Sequence, residues 1–270
     1  MKGRKVLGII GCGQMASALV AGLSKAGHAF ERVIGFDIDR SRLELLGRDF
    51  ALEGMASNRE VAVQADLMVL AVKPDQVGTI LNEIHDSLQG DELLVSIAAG
   101  ITTDMLENSV GKELGVVRVM PNTPCLIGEG ATAVAGGQFA SADDRELVVK
   151  MFSTMGTAVL VPETYLDAVT AVSGSGPAYI YLVAEAMIDA GVDVGLPRAL
   201  ARSLVLQTMK GSVAMLEESG QHPAVLKDQV TSPGGTTIAG VRELEGNGLR
   251  RAFFRAVRQA WERSIELGKK

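Results

Sequence analysis

Cysteine and histidine are scarce in this 270-residue chain: Cys12 and Cys125 are the only thiols, and His28, His85 and His222 the only imidazoles. Two thiols far apart in sequence build no disulfide framework and no zinc-ligand spacing, and they suit a reducing cytosol. A structural metal is therefore not expected. Positive charge is not in excess either. The chain carries 26 Lys and Arg against 32 Asp and Glu, a net charge of −6, so no basic field exists to displace counter-ions from nucleic acid. No run of about 18 uncharged apolar residues occurs, which leaves no transmembrane span to expect. Lys2, Arg4 and Lys5 precede the apolar stretch 6–11, and Ile9-Ile10-Gly11-Cys12 imitates a lipoprotein cleavage site. That stretch is shorter than the about 7–15 residues of a secretory core. The expected compartment is the cytoplasm.

What is present points to a folded α/β protein. The composition, 47% hydrophobic and 21% charged, excludes disordered and collagen-like chains. The length fits one large domain or two modest ones. Thirty-one glycines call for many tight turns. Over the first 160 residues, short β-branched runs alternate with helical patterns. Strands are expected at 5–10, 32–36, 67–72, 93–97, 116–120, 131–135 and 157–161, and helices at 14–27, 41–49, 75–88, 102–108 and 143–155. Alternation of this kind predicts a doubly wound parallel sheet. After Glu163 the strand-like runs stop, and helical periodicity fills 164–171, 178–190, 198–211, 223–229 and 249–267. The reading is an α/β domain over 1–162 and an all-α domain over 163–270.

The first strand runs into Gly11-Cys12-Gly13-Gln14-Met15-Ala16, a G-x-G-x-x-A dinucleotide fingerprint. The first glycine permits the tight turn and the second lets backbone approach a pyrophosphate. The small third residue lets the helix pack on the sheet. Amides at the helix start then face the phosphates. Asp37 ends the second strand, where a carboxylate accepts from the ribose 2′-hydroxyl of NAD and repels a 2′-phosphate. Arg40 and Arg42 follow at once and offer charge to such a phosphate. The choice between NADH and NADPH stays open, leaning to NADH.

Other strand ends carry polar or small residues at the same edge: Lys73-Pro74, the segment from Ser96 to Gly100, and Met120-Pro121-Asn122-Thr123-Pro124. Together they outline one crevice. The helical part adds two glycine-rich interruptions, Ser173-Gly174-Ser175-Gly176-Pro177 and the run from Asp228 to Thr237, each before a helix. Freed amides and hydroxyls at a helix start suit a small carboxylate. Ketone or alcohol chemistry calls for a positioned acid or base. No lysine follows Gly174 and Gly176 in the next helix, and the histidines lie outside these clusters. A protonated imine is already electrophilic and asks only for a hydroxyl to hold its nitrogen.

These segments together resemble the pyrroline-5-carboxylate reductase family, most specifically in KDQVTSPGGTTIAG ending at Gly240. The resemblance implies a Rossmann-type NAD(P)H-binding domain and a C-terminal all-α dimerisation domain. Homodimers, or larger rings of dimers, follow from it, as does hydride transfer to 1-pyrroline-5-carboxylate to give L-proline. By motif, Thr237 is the catalytic candidate, hydrogen-bonded to the ring nitrogen. Gly235 and Thr236, with Ser232 nearby, hold the carboxylate, and Glu163 and Val230 line the substrate pocket. The cofactor set is Gly8, Ile9, Ile10, Gly11, Cys12, Gly13, Gln14, Met15, Asp37, Arg40, Asn58, Ala71, Val72, Lys73, Pro74, Ala98, Ala99 and Gly100, with Asn58 matching a position near the adenosine ribose. One departure stands out: many members place Ser or Asn after the second strand, where this chain has Phe36-Asp37-Ile38-Asp39. The alternatives weighed are a β-hydroxyacid dehydrogenase-like reductase, which expects the missing lysine, and a non-catalytic NAD(P)-sensing protein.

Overall fold

A computed structural model describes residues 5–27 and 30–268; Lys2, Arg4 and His28 lie outside them. Its eight strands are β1 (Val6–Ile10), β2 (Arg32–Phe36), β3 (Glu53–Gly54), β4 (Leu67–Leu70), β5 (Leu93–Ser96), β6 (Gly115–Met120), β7 (Gly130–Gly136) and β8 (Gly156–Leu160). They form one sheet in the order β3-β2-β1-β4-β5-β6-β7-β8. β1 lies parallel to both β2 and β4, so the order reverses beside it. β6 and β7 alone are antiparallel. Only a loop with a 3₁₀ turn over Thr123–Ile127 joins them, too little chain for the crossover a parallel pair requires.

The helices between the strands are α1 (Gln14–Lys25), α2 (Arg40–Phe50), α3 (Asn58–Gln64), α4 (Pro74–Ile84), α5 (Thr103–Val110) and α6 (Ala142–Ser153). β4 and β5, Leu-Met-Val-Leu and Leu-Leu-Val-Ser, are buried on both faces, as uninterrupted apolar runs in parallel sheets are. Leu7, Ile9, Val69 and Val95 pack on one side with Leu19 of α1 and Phe152 of α6. Ile10, Met68, Leu70 and Leu94 pack on the other with Val61 of α3 and Val77 and Leu81 of α4. Strand residues of opposite parity thus serve two helical layers. β3 and α3, at two and seven residues, are too short for periodicity to announce them.

The remaining helices are α7 (Leu166–Val169), which continues into a π turn over Thr170–Gly174, then α8 (Gly176–Asp193), α9 (Arg198–Ser219), α10 (Pro223–Gln229), α11 (Thr236–Gly246) and α12 (Leu249–Leu267). α9 runs past Gly211, where a helix end was expected; one interior glycine costs about 1 kcal/mol, which a 22-residue helix absorbs. The chain divides into two compact units. One takes in the described residues up to Ser175 and those from Gln259 onward; the other is Gly176–Arg258. The first therefore extends beyond the expected cut at 162/163. Leu166 is buried in a small cluster with Ala133 and Ala135 of β7, and Val169 packs against it, so the apolar face of the segment 164–171 belongs to the sheet.

The second unit is helical throughout. Only Ala201 and Val205 of α9 are buried in it, whereas Tyr181, Leu182, Leu204, Met215, Val230 and Phe254 are exposed. Among the described residues no helix is long and apolar enough to cross a membrane, and no cluster of His, Cys, Asp and Glu could hold a metal ion.

Candidate active site

The loop after β1 is built for a close approach. Gly11 has φ +89°, and a Cβ there would lie 2.6 Å from Val72 Cγ1 and 2.7 Å from the Ala71 carbonyl oxygen. Only glycine fits. Gly13 is the N-cap of α1, with no side chain capping it and no acidic residue in the first turn. A Cβ on Gly13 would meet nothing nearer than Arg42 Nη1 at 4.0 Å. The positive end of α1 therefore opens onto free space, and the residues present fit a dinucleotide pyrophosphate. Gly8 has a different task. Its Cβ would stand 2.6 Å from Ala65 Cβ and 2.7 Å from Val61 Cγ1, so its bareness seats α3 on the sheet.

Asp37, 6% exposed, ties the loop to the end of β2. Its Oδ2 accepts from the Cys12 amide at 2.7 Å and its Oδ1 from the Asp39 amide at 2.8 Å. Arg42, on the first turn of α2, sets Nη1 3.3 Å from Asp37 Oδ2 and Nε 3.4 Å from Asp39 Oδ2. Asp39 caps α2 by accepting from Ser41, and the Ser41 hydroxyl above all holds its carboxyl below the ordinary range. Burial, followed by the neighbouring Asp37 charge, pushes the Cys12 thiol up to about 12. It stays protonated and unreactive at neutral pH.

A cleft of about 630 Å³ opens at the carboxyl ends of β1, β2 and β4, where the strand order reverses and open α/β sheets bind ligands. Of the expected cofactor residues it brings together Ile10, Gly11, Gly13, Asp37, Asn58, Ala71, Val72 and Lys73. Ile9 and Cys12 are core, Met15 packs beside it, and Gln14 and Arg40 are exposed. Pro74 opens α4. Ala98, Ala99 and Gly100 are not on the wall of this cleft; Gly100, at φ +80°, backs onto the end of α12 with Leu267 Cβ 3.1 Å from where its Cβ would be. Arg42 of α2 and Asp75, Gln76, Thr79 and Glu83 of α4 do line the cleft. The α4 residues were missed because they form the polar face of a helix whose apolar face is Val77, Ile80, Leu81 and Ile84. Its start directly after a strand end was the available signal. Asn58 is buried, donates from Nδ2 to Glu83 Oε2 at 2.9 Å and keeps an unpartnered Oδ1.

Glu163 is engaged elsewhere. Its Oε1 accepts from the Thr103 amide at 2.7 Å and faces Arg118 Nη1 at 3.3 Å, and its Oε2 accepts from the Thr103 hydroxyl. Arg118, 3% exposed, also reaches Asp167 at 3.5 Å, which in turn accepts from Ser264 Oγ of α12 at 2.7 Å. Asn122 acts as a clip: Nδ2 donates to the Ser173 carbonyl at 3.1 Å, and Oδ1 accepts from the Ala131 amide at 2.9 Å.

In the second unit, α10 closes with Thr231 donating to the Asp228 carbonyl through its amide and to the Lys227 carbonyl through its hydroxyl. The turn from Ser232 to Gly235 then leads into α11. Gly234 has φ +69°, and Gly235 donates to the Ser232 carbonyl at 3.1 Å. A Cβ on Gly235 would collide with Ser232 Oγ. No side chain caps α11 at Gly235. Thr236 is exposed, Thr237 half-buried and Val230 exposed. Open amides and flanking hydroxyls at a helix start make an acceptor for a small carboxylate.

Comparison with known proteins agrees in both halves. Residues 163–267 match the family model described as pyrroline-5-carboxylate reductase dimerisation, and residues 6–100 the one described as NADP oxidoreductase coenzyme F420-dependent. The chain is 42% identical over 271 aligned positions to a pyrroline-5-carboxylate reductase from Methanosarcina acetivorans, covering 100% of each chain. A Plasmodium falciparum pyrroline carboxylate reductase solved with NADP bound shares 40% identity at TM-score 0.89, with 99% of each chain covered. A pyrroline-5-carboxylate reductase from Coxiella burnetii shares 34% identity at TM-score 0.91 over 99% of each chain.

Proposed function

The chain belongs to the pyrroline-5-carboxylate reductase family, and from that premise we propose how its own residues divide the reduction of 1-pyrroline-5-carboxylate to L-proline. The observation that carries the reading is the presence, in one chain, of an open glycine-loop helix start in the sheet unit and a second open helix start, flanked by hydroxyls, at Gly235-Thr236-Thr237. The bound dinucleotide supplies a hydride to the imine carbon. The imine nitrogen ends as the secondary amine, and one proton from solution balances the reaction.

The loop from Gly11 to Gly13 and the first turn of α1 hold the pyrophosphate. Ala71, Val72, Lys73 and Pro74, with Ala98, Ala99 and Gly100, flank the nicotinamide. The amides of Gly235 and Thr236, with Ser232 Oγ, receive the substrate carboxylate, and the Thr237 hydroxyl hydrogen-bonds the ring nitrogen. A protonated imine is electrophilic without a strong acid beside it, which fits a site that offers a hydroxyl. Val230 and Glu163 match family positions that border the substrate pocket from different subunits, and Glu163 is held in place by Thr103 and Arg118. The β-hydroxyacid dehydrogenase alternative is disfavoured: it requires a lysine where α8 carries Tyr179, Ile180, Tyr181 and Leu182.

The protein is an oligomer, and we place the assembly as a homodimer through the second unit, with larger rings built from it, working in the cytosol. Asp37 tilts cofactor choice toward NADH. The test is loss of reduced-nicotinamide absorbance when purified protein meets pyrroline-5-carboxylate with NADH and NADPH in parallel. Turnover with proline as product supports the reading. Cofactor binding without turnover overturns it in favour of a sensing protein.

A further inference from the structure

Asp37 and Arg42 form an ion pair on the wall of the cleft, and the two partners are not equally free. The Asp37 carboxylate is 5% exposed and already accepts two backbone amides, from Cys12 and Asp39. It is fixed. Arg42 is 51% exposed, and its contacts to Asp37 and Asp39, at 3.3 and 3.4 Å, are long for charged hydrogen bonds. Its Nη1 also stands nearest to the open side of Gly13. Arg40 is exposed and absent from the cleft wall.

We propose that Arg42, and not Arg40, is the residue that admits a 2′-phosphorylated dinucleotide to this cleft, by leaving Asp37 for the phosphate. The proposal rests on the cleft being the cofactor site. An unphosphorylated ribose leaves the pair intact and donates its 2′-hydroxyl to the remaining acceptor capacity of Asp37 Oδ1. A 2′-phosphate brings about two negative charges toward a carboxylate that cannot move away. Arg42 then turns its guanidinium from a weak pair to a bidentate phosphate contact, the geometry this group favours. The same arginine thus screens Asp37 in one complex and binds the phosphate in the other, so a single enzyme takes both cofactors despite the carboxylate.

The experiment is calorimetric titration of NADH, NADPH and adenosine 2′,5′-bisphosphate into the wild-type oligomer and into the Arg42→Gln, Arg42→Lys and Arg40→Gln variants, with folding checked by circular dichroism. Arg42→Gln is expected to weaken NADPH and the bisphosphate by about 10- to 100-fold, the worth of one hydrogen bond to a charged group, and NADH by about twofold or less. Arg42→Lys should recover part of the loss. Added salt should weaken NADPH more steeply than NADH in the wild type, and that difference should vanish in Arg42→Gln. Equal weakening of NADH and NADPH, or the NADPH loss appearing in Arg40→Gln instead, overturns the proposal. Failure of the wild type to bind either dinucleotide would defeat the reading of the cleft itself, a distinguishable result.

Discussion

Replacing Asp37 by Asn tests whether this residue is a fastener or a reader. The two oxygens now accept one amide each, from Cys12 and from Asp39. An asparagine has one oxygen and one NH₂, so either rotamer sets a donor against one of the two amides. The Cys12 segment is buried, with the residue 2% exposed. An orphaned amide there costs about 1–3 kcal/mol, and the surviving bond loses its charge assistance, about 1 kcal/mol more. Arg42 is half in solvent, and its lost attraction adds at most about 1 kcal/mol. The sum is about 2–5 kcal/mol, charged to the loop that receives the pyrophosphate. Amide exchange at Cys12 should therefore accelerate by about 30- to 4000-fold, taking about 1.4 kcal/mol per factor of ten. Affinity should fall for both dinucleotides, and more for NADH, whose 2′-hydroxyl also loses a charged acceptor. If NADPH instead binds more tightly while the Cys12 amide stays protected, Asp37 acts only on the ribose and the fastening argument fails.

Thr237→Ala should lower kcat/KM by about 1–3 kcal/mol, the cost of losing one hydrogen bond to a charged nitrogen, while dinucleotide affinity stays unchanged; an unaltered kcat/KM removes Thr237 from the reaction. Gly8→Ala forces a methyl into Ala65 and Val61 and should destabilise by about 1–3 kcal/mol, read as a lower melting temperature at fixed protein concentration; unchanged stability would show that α3 can shift at no cost. Cys12 keeps its proton to about pH 12 when folded but only to about 8.5 when unfolded. Above that lower value the unfolded state sheds a proton the folded state retains, so stability falls as pH rises. The stability difference between wild type and Cys12→Ala should move by about 1–2 kcal/mol against the wild type between pH 8 and pH 10, measured by urea unfolding. A pH-independent difference would mean the thiol ionises in place.

The sheet was legible because its strands are short apolar runs ending in polar corners, and the strand at 32–36 is reproduced residue for residue. The helix pattern at 164–171 was also legible, but periodicity says that a face is buried without saying against what, and Leu166 packs with Ala133 and Ala135 of β7. Hence the structural division falls after Ser175. The antiparallel turn of β7 has no periodic signature. In the site, Gly11 and Asp37 announce themselves by position, whereas the hold of Asp37 on the Cys12 amide depends on two strands lying side by side. Glu83 and Thr79 look like any solvated helix face until the strand order puts a cleft beside them. Asn58 was reachable only through family resemblance, since the helix it opens is seven residues long.

The second unit has abundant apolar side chains and almost no interior, with Ala201 and Val205 its only buried residues. In the proposed homodimer the surface that covers these side chains belongs to another molecule, and such a stretch cannot complete its folding by a first-order process. Its acquisition of structure should scale with the square of chain concentration. The strands, made first on the ribosome, are able to pair while the helices wait, but the segment from Gln259 that completes their unit is made last. A cell producing few copies would then hold chains that are half finished and open to proteolysis, and the amount of working enzyme would fall faster than the amount of protein made.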